Sequence, residues 1–196
     1  MIGMSEAQFV AGAAASLTTV IHSITPDQLG ARTPCAEFDV RGLVNHLLFW
    51  GPSLVGAARK ESVPPPAESE ALVDLTRGDW RGAVDAHLQK LVAAWGEPAA
   101  WVGDTFAGGP MEFPAVRIGG MVAIDLVVHG WDLARATGQE LVVAEDIAEY
   151  VYDEVAKGAE LGREMGVYGP EVAVPAGAST VDRIVGLTGR DPAWSP

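Results

Sequence analysis

AIDLVVHGWDLARATG, residues 123–138, is the stretch on which the reading of this chain turns. Asp125, His129 and Asp132 recur at spacings of four and three, which on an α-helix stack side chains along one stripe. Met121, Val122, Ile124, Leu126, Val127, Val128, Trp131 and Leu133 cover nearly every other direction of the wheel. Such a helix is buried on most sides, as at the centre of a bundle. Pro114 suits its first turn and Gly138 its stop, which predicts a helix over about 114–137. A lone buried carboxylate is very costly, so the stripe's acids have to be paired, protonated or metal-bound.

Outward from this helix, the same period recurs. Phe9, Ala13, Leu17, Val20, Ile21 and Ile24 predict a first helix over about 5–23. Val40, Leu43, Val44, Leu47, Gly51, Leu54 and Val55 predict a second, with Asp39 as its N-cap and a late kink at Pro52. Trp80, Val84, His87, Leu88, Leu91 and Trp95 predict a third over about 79–95, and a fifth spans about 145–164. The tail is expected to add a short extended piece and a final short helix. Residues 59–75, with three consecutive prolines, form a loop; residues 96–114 form a second, Gly/Pro-rich one of the kind that walls or covers a site. No strand alternation stands out, and the class predicted is all-α. One domain over 1–196 is expected, with the bundle core at about 5–140 and the C-terminal helix and tail at about 141–196.

The chain carries 26 acidic and 13 basic residues, a formal net charge of −13, which argues against nucleic acid or an anionic membrane as partner. The N-terminal stretch lacks the basic start of a signal peptide, and no apolar run is long enough to predict a membrane span. The single cysteine, Cys35, allows no intrachain disulfide and fits a reducing, cytoplasmic setting.

Asp125 and His129, four apart, can reach one ion from one helix face, and imidazole with carboxylate suits zinc and similar divalent metals. A third ligand has to come from another helix. His46 in the second helix is the leading choice, His87 in the third is its rival, and His22 reads best as a charge at a helix C-terminus. The plainer alternative is that Asp125 and His129 bond to each other or to a neighbouring helix, that Asp132 pairs with Arg135, and that His87 is a core histidine. Cys35 reads either as a small buried hydrophobe or as a thiol near a site mouth. Trp50 and Trp131 lie close in sequence to the proposed ligands and are expected to line a pocket.

TPCAEFDVRGLVNHLLFW, residues 33–50, taken with AIDLVVHGWDLARATGQ, residues 123–139, resembles the N-terminal domain of mycothiol-dependent maleylpyruvate isomerase, within the wider DinB-like family of metal-binding four-helix bundles. VDRIVGLTGRDPAW, residues 181–194, is similar to the tail of a set of largely uncharacterised actinobacterial-type members. The resemblance implies a DinB-like four-helix bundle with an extra C-terminal helix and a short tail. It also implies a zinc-type site (nickel is the other metal considered) built from His46, Asp125 and His129, and demotes His87. The isomerase pattern has glutamate where this chain has the shorter Asp125. It also carries a substantial second domain, for which the roughly sixty residues after Gly138 are too few.

The activity so implied is a thiol S-transferase or isomerase-like reaction on a small-molecule substrate, with mycothiol as cosubstrate. Asp132 then orients a ligand histidine or pairs with Arg135, which in the other case attracts an anionic substrate. The alternative is a non-catalytic metal- or small-molecule-binding module, its apolar surface serving a homodimer. A further alternative is a scaffold without metal, in which Asp125, His129 and His46 form a polar network. An open coordination position favours the enzyme; closure by His87 or Cys35 as fourth ligand favours the module.

Overall fold

The computed structural model describes residues 5–196. Four long helices form the bundle: α1 (Glu6–Ser23), α2 (Val40–Ala58), α3 (Trp80–Trp95) and α4 (Ala115–Ala136). α1 packs against α3 and α4, and α2 packs against the same two, so the four close into a ring. α5 (Glu145–Glu164) lies outside α4 and α1 and carries α6 (Thr180–Leu187). The expected all-α class and the helix positions agree with this architecture.

Local chemistry explains the boundaries. Asp39 accepts a hydrogen bond from the Gly42 amide (2.7 Å) and Asp79 one from the Gly82 amide (3.0 Å), each satisfying a donor that a helix N-terminus would otherwise leave unpaired. Gly138 follows α4 at φ +71°, a left-handed conformation open to glycine at no steric cost. α2 continues through Pro52 to Ala58. Leu17, Ile21, Leu43, Leu91, Trp95, Leu126 and Leu133 fill the centre at 3% exposure or less.

Two features depart from expectation. The tail forms no strand among the described residues; its backbone pairs with the α6 end instead, Val172 N–H donating to Gly186 O and Gly169 N–H to Thr188 O. The extended backbone lies in the second long loop, as an antiparallel hairpin of β1 (Asp104–Phe106) and β2 (Glu112–Pro114). Strands of three residues are too short to display an alternating pattern. The hairpin is pinned by the buried Thr105 hydroxyl, which donates to Ala57 O at the end of α2. Its tip brings Gly108 (φ +77°) against Trp50 and Ser53.

The first long loop is held differently. Asn45, buried on α2, accepts from the Leu75 amide (2.8 Å) and donates to Glu70 O (3.4 Å), and Arg41 donates to the Thr76 hydroxyl (2.8 Å). These bonds fix the short 3₁₀ turn Glu70–Leu72 against Asn45, the residue before His46.

Candidate metal centre

Three side chains from two helices converge. His46 of α2 and His129 of α4 both present Nε2 to the Asp125 Oδ1 atom, at 3.6 and 3.3 Å, and the imidazole centroids stand 5.0 Å apart. One ligand atom from each of the three residues lies within 4.8 Å of the others. Tetrahedral zinc with bonds of about 2.0–2.1 Å holds neighbouring ligand atoms about 3.3 Å apart. The spacing therefore fits a shared ion after small side-chain adjustments.

Each imidazole is gripped from behind. His46 Nδ1 stands 3.1 Å from both carboxylate oxygens of Glu70, and His129 Nδ1 stands 3.2 Å from Asp132 Oδ2. An ionised carboxylate only accepts, so both contacts place a proton on Nδ1 and aim Nε2 at the common point. Glu70 is itself fixed by the Trp50 indole N–H, which donates to it at 2.7 Å.

Asp132 is fully buried, and Arg190 neutralises it: Nη2 donates to Oδ2 at 3.0 Å and Nε to Oδ1 at 3.3 Å. Local spacing had offered Arg135 as this partner. The guanidinium of Arg135 instead donates to the carbonyls of Pro192 and Trp194, at 3.1 and 2.7 Å, and lies 5.7 Å from the Trp131 ring. Its Nη2 bonds go to the C-terminal segment, which corrects the pairing with Asp132.

The electrostatics follow from this packing. Burial opposes ionisation of Asp125, yet the two imidazoles beside it hold its carboxyl well below the usual range. Burial likewise pushes the His129 imidazolium down, but the flanking Asp125 and Asp132 carboxylates outweigh it and lift the group to about 9. His46 is raised in the same way, Asp125 again overcoming burial.

The cluster is open to solvent: the side chains of His46, Asp125 and His129 are 19, 26 and 13% exposed. No fourth His, Cys, Asp or Glu joins the group among the described residues. His87 lies against Gly51, outside the cluster, and burial lowers it to about 4. Cys35 is half-buried; burial pushes its thiol up, Arg190 only partly offsetting this, so it is a poor thiolate. His22, in the last turn of α1, pairs at the surface with Asp85 (2.9 Å). A cavity of about 430 Å³ adjoins Glu70 and is walled by Phe38, Phe49 and Trp50. Trp131 does not line it; that side chain is 5% exposed, in the core.

Glu70 and Arg190 had no signal in the sequence. Glu70 sits in an acidic, proline-rich loop, and Arg190 is 58 positions from the carboxylate it neutralises.

The family described as mycothiol maleylpyruvate isomerase N-terminal domain matches residues 10–134. Two uncharacterised proteins of Mycobacterium tuberculosis, from strains CDC 1551 / Oshkosh and ATCC 25618 / H37Rv, are each 31% identical over 133 residues, spanning 68% of this chain and 68% of the relative. The crystal structure of a mycothiol-dependent maleylpyruvate isomerase superposes on 79% of this chain and 68% of its own, with TM-score 0.59 at 14% identity. That of a histidine-to-alanine mutant covers 85% and 72%, with TM-score 0.62 at 15% identity. At those identities the structural likeness establishes the helical fold, while the sequence match covers the helices that carry all three converging residues. The chain belongs to the mycothiol maleylpyruvate isomerase N-terminal domain family.

Proposed function

We propose that this protein holds one divalent metal ion, zinc or nickel, through His46, Asp125 and His129, and acts as a thiol-dependent S-transferase or isomerase-like enzyme with mycothiol as cosubstrate. The observation that carries the reading is the convergence of three donor atoms with both imidazoles locked from behind in the tautomer a cation needs. When bound, such an ion supplies Lewis acidity that lowers the pKa of a thiol or water in an open coordination position.

The chain's own groups divide the remaining work. Glu70 and Asp132 retain the Nδ1 protons and fix ring orientation. Arg190 gives the fully buried Asp132 a cationic partner. Phe38, Phe49 and Trp50 offer apolar walls to a small molecule beside Glu70. No side chain here is placed as a dedicated general base, which suits chemistry in which the thiol is activated by the ion. The same geometry serves a non-catalytic binding module, and turnover separates the two.

The test is direct. Purified protein is expected to carry close to one equivalent of zinc or nickel by mass spectrometry. It is also expected to accelerate the reaction of mycothiol with an electrophile such as maleylpyruvate. Stripping the metal removes the acceleration and reloading restores it. A loaded protein without thiol-dependent turnover rejects the enzyme and leaves the module; a protein that takes up no metal rejects the metal reading and leaves the polar network of His46, Asp125 and His129.

Metal affinity should also depend on pH in a defined direction. In the metal-free protein His129 keeps both protons up to about pH 9, so an ion has to displace the Nε2 proton. Below that pH, zinc affinity is expected to fall about tenfold per unit of acidification, more steeply where His46 is protonated as well. Competition titrations with a chelator between pH 6 and 8.5 measure the slope; a flat profile contradicts Nε2 coordination.

A further inference from the structure

On the opposite side of α2 from the His46 cluster lies a second cleft, of about 500 Å³, between α2 and α3. At about 100° per residue, Leu48 stands about 200° round the helix from His46. Leu48, Pro52 and Val55 form the floor, at the spacing of one helical stripe. On α3 the facing positions are Ala83 and Ala86, too small to fill the space.

Two glycines of α2 set the ends of this cleft. A Cβ at Gly51 would stand 2.6 Å from both Cε1 and Nδ1 of the His87 ring, so the imidazole rests directly on the helix backbone. A Cβ at Gly56 would stand 2.5 Å from Val63 Cγ2, and the Glu61 amide donates to Gly56 O (2.9 Å), which brings the chain after α2 back against it.

The polar groups are unspent. Among the described residues, the side chains of Arg59, Lys90 and His87 make no hydrogen bond or ion pair, although all three line the cleft. Burial leaves His87 neutral at pH 7. Glu61 is the one acid in the lining, so the rim is net positive in a chain of net charge −13. An apolar floor with a few convergent polar groups is the composition of a small-ligand site.

We infer that this α2–α3 cleft binds an amphiphilic monoanion, a carboxylate on a short apolar chain, with the tail along Leu48, Pro52 and Val55 and the head between Arg59 and Lys90 at the His87 ring. The site shares no residue with the His46–Asp125–His129 cluster, although the Asp125 charge partly offsets the effect of burial on His87.

Sodium octanoate is the probe, followed by the imidazole NMR signals of metal-loaded and metal-stripped protein. The expected result is a saturable shift of the His87 signal with little movement of His46 and His129, equal in both metal states. Octanol and octylammonium should bind at least about tenfold more weakly, and so should octanoate in an Arg59→Ala/Lys90→Ala double variant. Both side chains are exposed, so that variant retains the fold. Equal binding of octanol or octylammonium, undiminished binding by the double variant, or a shift confined to His46 and His129 overturns the assignment.

Discussion

His129→Ala is expected to leave the bundle folded and to weaken zinc binding by more than about 100-fold, the upper range for losing even an outer hydrogen bond to a ligand histidine. The fold should survive because no buried charge is stranded. Asp132 keeps Arg190, and Asp125 keeps His46 and remains in reach of solvent. His46→Ala should behave alike, whereas Glu70→Gln, which leaves all three donors in place, should cost about 10–100-fold. Asp125→Glu tests reach: the longer arm is expected to retain metal, because it restores the residue that the isomerase pattern carries there. Circular dichroism with a metal-content assay on the same preparations separates loss of site from loss of fold. Stoichiometric zinc in both histidine variants sinks the three-donor reading.

Arg190→Ala should be the most damaging single change far from the cluster in sequence, destabilising by about 3–5 kcal/mol, because it leaves the fully buried Asp132 carboxylate without its cation. Replacing both partners, as Asp132→Asn with Arg190→Met, is expected to recover much of the loss, since neither charge then remains buried. Denaturant melts of the single and double variants measure this. Similar stability of Arg190→Ala and the parent contradicts the assignment of Arg190 as the charge that makes Asp132 tolerable. The double variant carries a second expectation. It folds, but His129 has lost its ionised Nδ1 partner, so zinc affinity falls.

The helices could be read because each signal is local. The apolar stripe of α4, the Asp39 cap and the Gly138 stop all act within a turn or two of the residues they govern. His46, Asp125 and His129 were legible for a similar reason, two of them sharing a helix face and the third standing off the apolar stripe of another helix, where the family resemblance set it above His87. What escaped depends on distant chain. Asp132 and Arg135 have the spacing of a helical ion pair, but Asp132 faces a closed interior that Arg190 reaches from past α6, while Arg135 turns to the carbonyls of the tail. Glu70 resembles any solvated acid in a proline-rich loop until Asn45 ties that loop to α2. The β1–β2 hairpin is set by Thr105 and Gly108 closing on α2, which no period reveals.

The bond between Arg190 and Asp132 also bears on how the protein is made. A ribosome that has completed α4 has already joined all three converging donors to the chain, yet the charge that neutralises Asp132 lies 58 residues beyond that aspartate and has still to be added. Until then the nascent chain has to keep α4 partly unpacked, because the finished packing would seal an unpaired anion. Final consolidation of the centre thus becomes a late event that waits on the tail, whatever the speed at which the helices themselves form.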